Sequence, residues 1–393
     1  MAWVEPGVIN LDLAEHLAPL GFTYAPDPSS QQVCSIGGNV NTNAGGPHCL
    51  AYGITSNHIL AVEIVLPDGS VETFGSEGPL SSGYDLRGLV VGSEGTFGVV
   101  TAVCVRLAPL PAVTRTVLLD FTSVEDCAAT VSGIIASGVI PAALEMMDRL
   151  VTRAIENYVH AGYPTDAEAL LLVELDGVEE SVSAQAEEVE AAARGNGVRN
   201  IRVARTEDER ALLWKGRKAA FGATAQVAPN YHLHDCVVPR TRLAEVLVGV
   251  YDIVRRHDLK VLNVFHAGDG NLHPLLAFDR REPGALERVL QASEEIVRLC
   301  VDAGGALSGE HGIGLEKRDF MPLVFSADDL DAQACLRAAF DPEGRMNPHK
   351  VLPSSARCGD HAVLERSEAS GGATSVGNGV GTSGKGIPEG TWI

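Results

Sequence analysis

Apolar residues along the 393-residue chain fall into two rhythms. Between residues 33 and 110 they come in short β-branched runs broken by glycine, as in HILAVEIVLPDGSVETFG, where Pro67-Asp68-Gly69 separates two runs. Such a break predicts a hairpin. LVVGSEGTFGVVTAVCVRLAPL predicts two further strands interrupted by a Gly-rich corner, and the region is assigned to one β-rich domain. At the front, WVEPGVINLDLAEHLAPLGF predicts a strand over 3–5, a Pro-Gly turn and a helix capped by Asn10 and stopped by Gly21. That first strand has no partner close in sequence.

After Pro111 the period lengthens. TVLLDF, EALLLVEL and NIRVAR predict strands. SVEDCAATVSGIIASG (with Ser123 at the N-cap), EESVSAQAEEVEAAARGNG, EDERALLWKGRKAAFGATAQ, TRLAEVLVGVYDIVRRH and PGALERVLQASEEIVRLCVDAGG predict helices, and AALEMMDRLVTRAIENY is also assigned to one. Single strands alternating with helices, plus one hairpin, predict an α+β sandwich with helices on one face. From Ser354 the chain turns Gly- and Ser-rich with little to bury, which predicts disorder.

Charge and cysteine content narrow the classes. With 51 acidic against 30 basic residues the formal charge is −21, which argues against nucleic acid and anionic lipid as partners. The eight cysteines form no C-x-x-C pair and read as reduced thiols of a cytosolic protein. No signal peptide is visible and no apolar run approaches the ~20 residues of a membrane span. The expected location is the cytoplasm, with any membrane association made through a partner.

Chemistry concentrates in a few stretches. NVFHAGDGNLHP holds His266 and His273 on either side of Asp269-Gly270, a two-residue hairpin signal. A turn there sets His266 opposite His273, roughly 5 Å apart at Cβ, close enough to share a metal ion. ALSGEHGIGLEK offers Glu310 as third ligand and His311 beside it. Two imidazoles and a carboxylate suit Zn²⁺ or Fe²⁺ with positions left open. CSIGGNVNTNAGGPHCLAYG reads as a loop exposing backbone N–H groups to a ligand, and GSEGTFG is a second such corner. Together they favour a large anionic cofactor. Arg217, flanked by Trp214 and Phe221 on a helix, is a planar fork suited to a carboxylate. HLHD (232–235) reads as part of a solvated strand pair. GVGTSGKG (379–386) lacks the Ser or Thr of a phosphate-binding loop and belongs with the tail.

Five stretches in order, IGGNVNTNAGG, GSEGTFGVVT, HAGDGNLHP, SGEHGIGLEKRDFM and FDPEGRMNPHKVLP, resemble the FAD-linked oxidases of the vanillyl-alcohol-oxidase type, nearest to the glycolate oxidase flavin subunit and D-lactate dehydrogenase group. The resemblance covers nearly all of residues 1–353. It implies a partial FAD-binding domain over 1–110, an α+β (ferredoxin-like) substrate cap over 111–320, a C-terminal flavin-contacting segment over 321–353 and a disordered tail over 354–393. It implies FAD and a divalent metal as cofactors, and hydride transfer from a short D-2-hydroxy acid to flavin. Carried over by motif, Gly37, Gly38, Asn39, Thr42, Asn43, Gly45, Gly46 and Gly53, with Glu94, Gly95, Thr96, Gly98 and Val99, would line the flavin, and Asn347 would approach its ring. His266, His273 and Glu310 would hold the metal, His311 would be the base and Arg217 would grip the substrate carboxylate. An iron–sulfur electron-acceptor subunit is the implied partner. Where some relatives carry a lysine near YHLHD this chain has His232, Leu233 and His234, and where the hydroxyglutarate enzymes carry a polar residue two beyond the second histidine it has Leu275; both differences favour glycolate or D-lactate.

The resemblance also implies a Gly-rich pyrophosphate loop preceding the VEPGV stretch, so the chain is expected to be N-terminally truncated and to hold metal but little flavin. The alternatives are a flavin-free scaffold subunit of a glycolate-oxidase-like complex and a His/His/Glu metal hydrolase.

Overall fold

The computed structural model describes residues 1–78 and 83–356. Most of the tail, with its GVGTSGKG stretch, lies outside the described residues.

The glycine-broken runs of the first part form a four-stranded antiparallel sheet ordered Ala2–Val4, Val99–Val105, Ile59–Val65, Val71–Gly75. The opening strand therefore does have a partner, far along the chain: Ala2 pairs with Val105 and Val4 with Val103. Ile59, Val62, Ile64, Val103 and Val105 bury one face against the helices Asn10–Leu17 and Ile36–Thr42. Asn10 is not the cap of its helix. Its amide donates to Pro26 O and Asn39 Oδ1 inside the core.

The second part is built on a nine-stranded sheet. Val113–Phe121, Ala143–Asp148, Ala169–Gly177 and Asn200–Val203 take the spatial order fourth, first, third, second, all antiparallel, which is the ferredoxin-like arrangement. Lys260–His266 then pairs with Ala143–Asp148 and carries the sheet on to Pro274–Phe278 and Asn271–Leu272. Ala143–Asp148 corrects the sequence assignment. Its composition is helix-forming, but pairing on both edges and complete burial outweigh propensity.

Helices cover both faces of this sheet, not one. Val124–Ala136, Glu179–Gly195, Leu243–Arg256 and Ala285–Asp302 pack on the face that presents Leu119, Leu144, Leu171 and Phe265. Arg149–Val159 and Glu207–Lys218 pack on the opposite face, against Leu118, Met147, Leu170, Leu172 and Val264. The unbroken apolar run ALLLV at 169–173 needs cover on both sides, which is the physical reason. Among the described residues Cys34, Cys49, Cys104, Cys127, Cys236 and Cys300 are free thiols. Among the described residues no helix is long and apolar enough to cross a membrane.

Candidate metal and flavin site

The hairpin that carries the two histidines forms, with a different register. His266 pairs with Asn271 and Asn263 with Pro274, so four residues, 267–270, make the loop. Its shape is set by the surroundings: Ala267 N–H donates to Leu144 O at 2.8 Å and Val238 N–H to Gly270 O at 3.0 Å. Gly270 has φ +77°, and a Cβ there would lie 2.2 Å from Val238 O. The shift is two residues, which keeps both imidazoles on one face of the sheet. His273 sits diagonal to His266, with ring centroids 5.1 Å apart and planes at 83°.

His266 stands directly across the strand pair from Glu145. Its Nδ1 lies 2.7 Å from Glu145 Oε1, which fixes the ring and turns Nε2 inward. The second Glu145 oxygen accepts from Arg217 Nε at 2.7 Å, and Arg217 and Glu145 are both fully buried. Burial pushes the Glu145 carboxyl up, but the Arg217 and His266 charges outweigh that and hold it below its ordinary value.

Opposite, Nε2 of His266 and Nε2 of His273 each lie 3.3 Å from one oxygen of Glu310. His266 Nε2, both nitrogens of His273 and Glu310 Oε2 are buried without hydrogen-bond partners. Orphaned donor atoms in a dry site are costly unless something coordinates them. His266, His273 and Glu310 converge tightly enough to share a cation, and so do Asp235, His273 and His311. His311 stacks on His273 with centroids 5.1 Å apart and planes at 11°, and it remains over a third exposed. Burial lowers the pKa of His311 against the opposing pull of Asp235, so the ring is neutral near pH 7.

HLHD is not a solvated strand pair. His234 and Asp235 are buried. Asp235 accepts from Ser308 Oγ at 2.6 Å and from the backbone N–H groups of Gly309, Glu310 and His311 at 2.9–3.3 Å, and Lys317 Nζ lies 2.9 Å away.

A groove of about 510 Å³ runs along the four-stranded sheet, lined by Gly37, Gly38, Glu94, Gly95, Gly98, Val99 and Asn347, with Pro6, Gly7, Ser35 and Asn41. IGGNVNT (36–42) is a helix, not an open loop. Ser35 caps it through the Gly38 N–H, and buried Ile36 and Val40 anchor it. The other glycine-loop residues lie off the groove. Asn39 bonds Asn10, Thr42 bonds Gly38 O, Asn43 accepts from Ser56 N–H, and Thr96 bonds Ser93 O. Gly46 and Gly53 have positive φ, and Cβ atoms there would meet Asp27 O and the Asn57 side chain, both at 2.6 Å. A Cβ on Gly45 would sit 2.8 Å from Glu310 Oε2.

Residues 110–351 match the family described as FAD linked oxidases, C-terminal domain, and residues 1–75 match the FAD binding domain. The chain belongs to the FAD-linked oxidases. The glycolate oxidase subunit GlcD of Escherichia coli strain K12 is 48% identical over 363 residues, covering 92% of this chain and 73% of that protein. A D-lactate dehydrogenase of Anaerostipes hadrus is 32% identical over 360 residues, covering 88% and 75%. A crystal structure of p-cresol methylhydroxylase with substrate bound superposes with a TM-score of 0.72 at 15% identity, over 88% of this chain and 75% of that one, which speaks for the fold.

Membership makes this FAD-linked oxidase an oxidoreductase and removes the hydrolase alternative. Its residues fit the flavin: Gly7 borders open space in the groove, and the buried Asn41 Oδ1 on its wall has no partner. The cation cluster fits a divalent metal by its orphaned nitrogens and carboxylate. Sequence reasoning missed Glu145, Asp235 and Asn41. Glu145 sat in a stretch read as helix, and Asp235 in a cluster read as solvated.

Proposed function

We propose that this FAD-linked oxidase performs metal-assisted oxidation of a short D-2-hydroxy acid, glycolate or D-lactate, to the 2-oxo acid. The observation that carries the reading is the approach of His266 Nε2 and His273 Nε2 to one Glu310 oxygen, each at 3.3 Å, with His311 stacked and accessible beside them. The relatives named for glycolate oxidase and D-lactate dehydrogenase support the substrate class.

The chemistry supplied by the two bound groups is hydride acceptance for FAD and Lewis acidity toward a hydroxyl for a divalent cation such as Zn²⁺ or Fe²⁺. This chain's residues do the rest. His266, held by Glu145, and His273 and Glu310 present three ligand atoms and leave positions for the hydroxyl and carboxylate of the acid. His311, neutral at working pH, takes the hydroxyl proton as the C2 hydrogen leaves with its electron pair. Arg217, beneath the histidines, supplies positive charge for the substrate carboxylate while balancing Glu145. Leu275 and the other buried apolar residues of its strand leave no polar group there for a second carboxylate. A separate electron-accepting subunit, which the motif resemblance implies to be of iron–sulfur type, would complete the reaction; the name of the Escherichia coli relative supports only that it is one subunit of an assembly.

The test is anaerobic reduction of FAD-loaded protein by D-lactate or glycolate, followed as loss of oxidised-flavin absorbance, with metal content measured in parallel. Flavin that stays oxidised with every short D-2-hydroxy acid, in metal-replete protein, refutes the proposal.

A further inference from the structure

We infer that Asp235 is a positioning residue, a side chain that fixes Glu310 and His311 relative to each other and to His273. Three successive N–H groups, those of Gly309, Glu310 and His311, converge on its carboxylate. Successive amides of an extended chain point in opposite directions, so this convergence forces a tight turn at 309–311. Ser308 closes the turn from the other side: its hydroxyl donates to Asp235 Oδ2 at 2.6 Å and accepts from Gly312 N–H at 2.8 Å. Lys317 approaches the same oxygen at 2.9 Å and also donates to Asp235 O.

The consequence is geometric. Adjacent side chains diverge, so one turn directs Glu310 to the two hairpin histidines and leaves His311 stacked on His273. The same carboxylate lies 3.5 Å from His273 Nε2 and 4.0 Å from His311 Nδ1. Asp235 thus touches both halves of the site, and its bonds to three loop amides give it a structural task beyond the place it shares with His273 and His311 in the second candidate cation cluster. No hydroxyl or amide can replace it. The Ser308 hydroxyl, the three backbone N–H groups and the Lys317 ammonium bonded to the Asp235 carboxylate are all donors, and an amide would bring its own N–H groups against them.

This inference rests on the metal-assisted reading for one of its two measurements. The perturbation is Asp235→Asn in the full chain. The first measurement is Co²⁺ binding by chelator competition together with the visible spectrum of the bound ion, which reports ligand geometry. The expected result is affinity about 10–100-fold weaker, as when a partner of a metal ligand is lost, with an altered spectrum. The second measurement needs no metal. Hydrogen exchange at the amides of 309–311 in the metal-free protein should accelerate at least tenfold while the sheet amides of 260–266 stay protected. Ser308→Ala, a smaller change that serves if the first variant fails to fold, should give the same pattern more weakly. Wild-type affinity and spectrum in Asp235→Asn overturn the inference, and so does unchanged exchange at 309–311 in either variant. If wild-type protein binds no Co²⁺, or binding survives His273→Ala, the metal reading falls instead, and amide exchange alone decides the role of Asp235.

Discussion

Replacing Arg217 with methionine separates two roles that the site superimposes. The side chain is fully buried, and its Nε donates to Glu145 Oε2 at 2.7 Å within a pair that water does not reach. Methionine keeps most of the side-chain volume, so the loss is chiefly of charge. Breaking a buried ion pair by removing one partner costs about 3–5 kcal/mol, because the remaining charge is left uncompensated. Glu145 keeps His266 as a partner, which places the expected loss near the lower end, about 3 kcal/mol. Glu145 is held below its ordinary pKa, so its contribution is present above pH 4.5 and fades as pH falls through the folded value. The variant should therefore be most destabilised near neutrality and approach the parent in acid. The assay is urea denaturation at pH 7 and at pH 4, with Glu145→Gln and the double variant completing a cycle. A coupling energy above about 1 kcal/mol is expected for two charges in contact. Additive losses, or a single-variant loss under about 1 kcal/mol at pH 7, refute the claim that Arg217 exists first to hold Glu145. A raised KM for D-lactate without change in stability would make it purely a substrate clamp.

Three further outcomes follow from the same geometry. His311→Ala should lower kcat by about 10²–10⁴, the usual worth of a positioned base, while leaving bound metal unchanged by elemental analysis; unchanged turnover removes it as the base. Because desolvation lowers the pKa of His311 from its ordinary value, kcat/KM should rise with pH along a limb centred below 6.5, and a limb centred above 7 contradicts the assignment. At the joint between the two parts of the chain, His48 sits between Asp27 at 2.8 Å and Glu174 at 3.2 Å. Burial opposes its charge, but the two carboxylates raise its pKa to about 10, so its contribution is full below 6.5 and lost as pH climbs to about 10. Stability should fall across that window by at most about 1.4 kcal/mol per pH unit; His48→Phe, read by thermal melts at pH 7 and 9.5, should flatten the dependence.

The hydrophobic pattern revealed most of the helices because 3.6-residue periodicity depends on local sequence alone. It failed at Ala143–Asp148, where a helix-forming composition sits between two strands that supply its hydrogen bonds. That failure hid Glu145. The hairpin was legible as a pair of facing histidines, although its register was not, since Leu144 and Val238 pin the loop and neither is near it in sequence. The error did not scatter the site, because a shift of two residues preserves the face on which a side chain stands. Asp235 was illegible for a different reason. Its partners are backbone N–H groups more than seventy residues away, and these leave no trace in residue type.

The loop that carries Glu310 and His311 is held at both ends by carboxylates, and these come from different parts of the chain. Asp235 takes the amides of 309–311, while Glu94 takes those of Ile313 at 2.6 Å and Gly314 at 2.8 Å. Glu94 also lines the flavin groove, and its carbonyl accepts from the side-chain amide of Asn347. It adopts φ +53°, an uncommon conformation for a non-glycine residue, and charge-assisted bonds to two amides offset that cost. The groove wall and the ligand loop are therefore one mechanical unit. A residue read from its motif as a flavin contact ties the groove wall to the loop of the cation cluster, and under the proposed function it would set where that cluster stands relative to a bound flavin ring. Orientation between a hydride donor and its acceptor supplies a large part of the rate in such reactions. A carboxylate spent on backbone amides fixes that orientation more firmly than one left free to meet a cofactor.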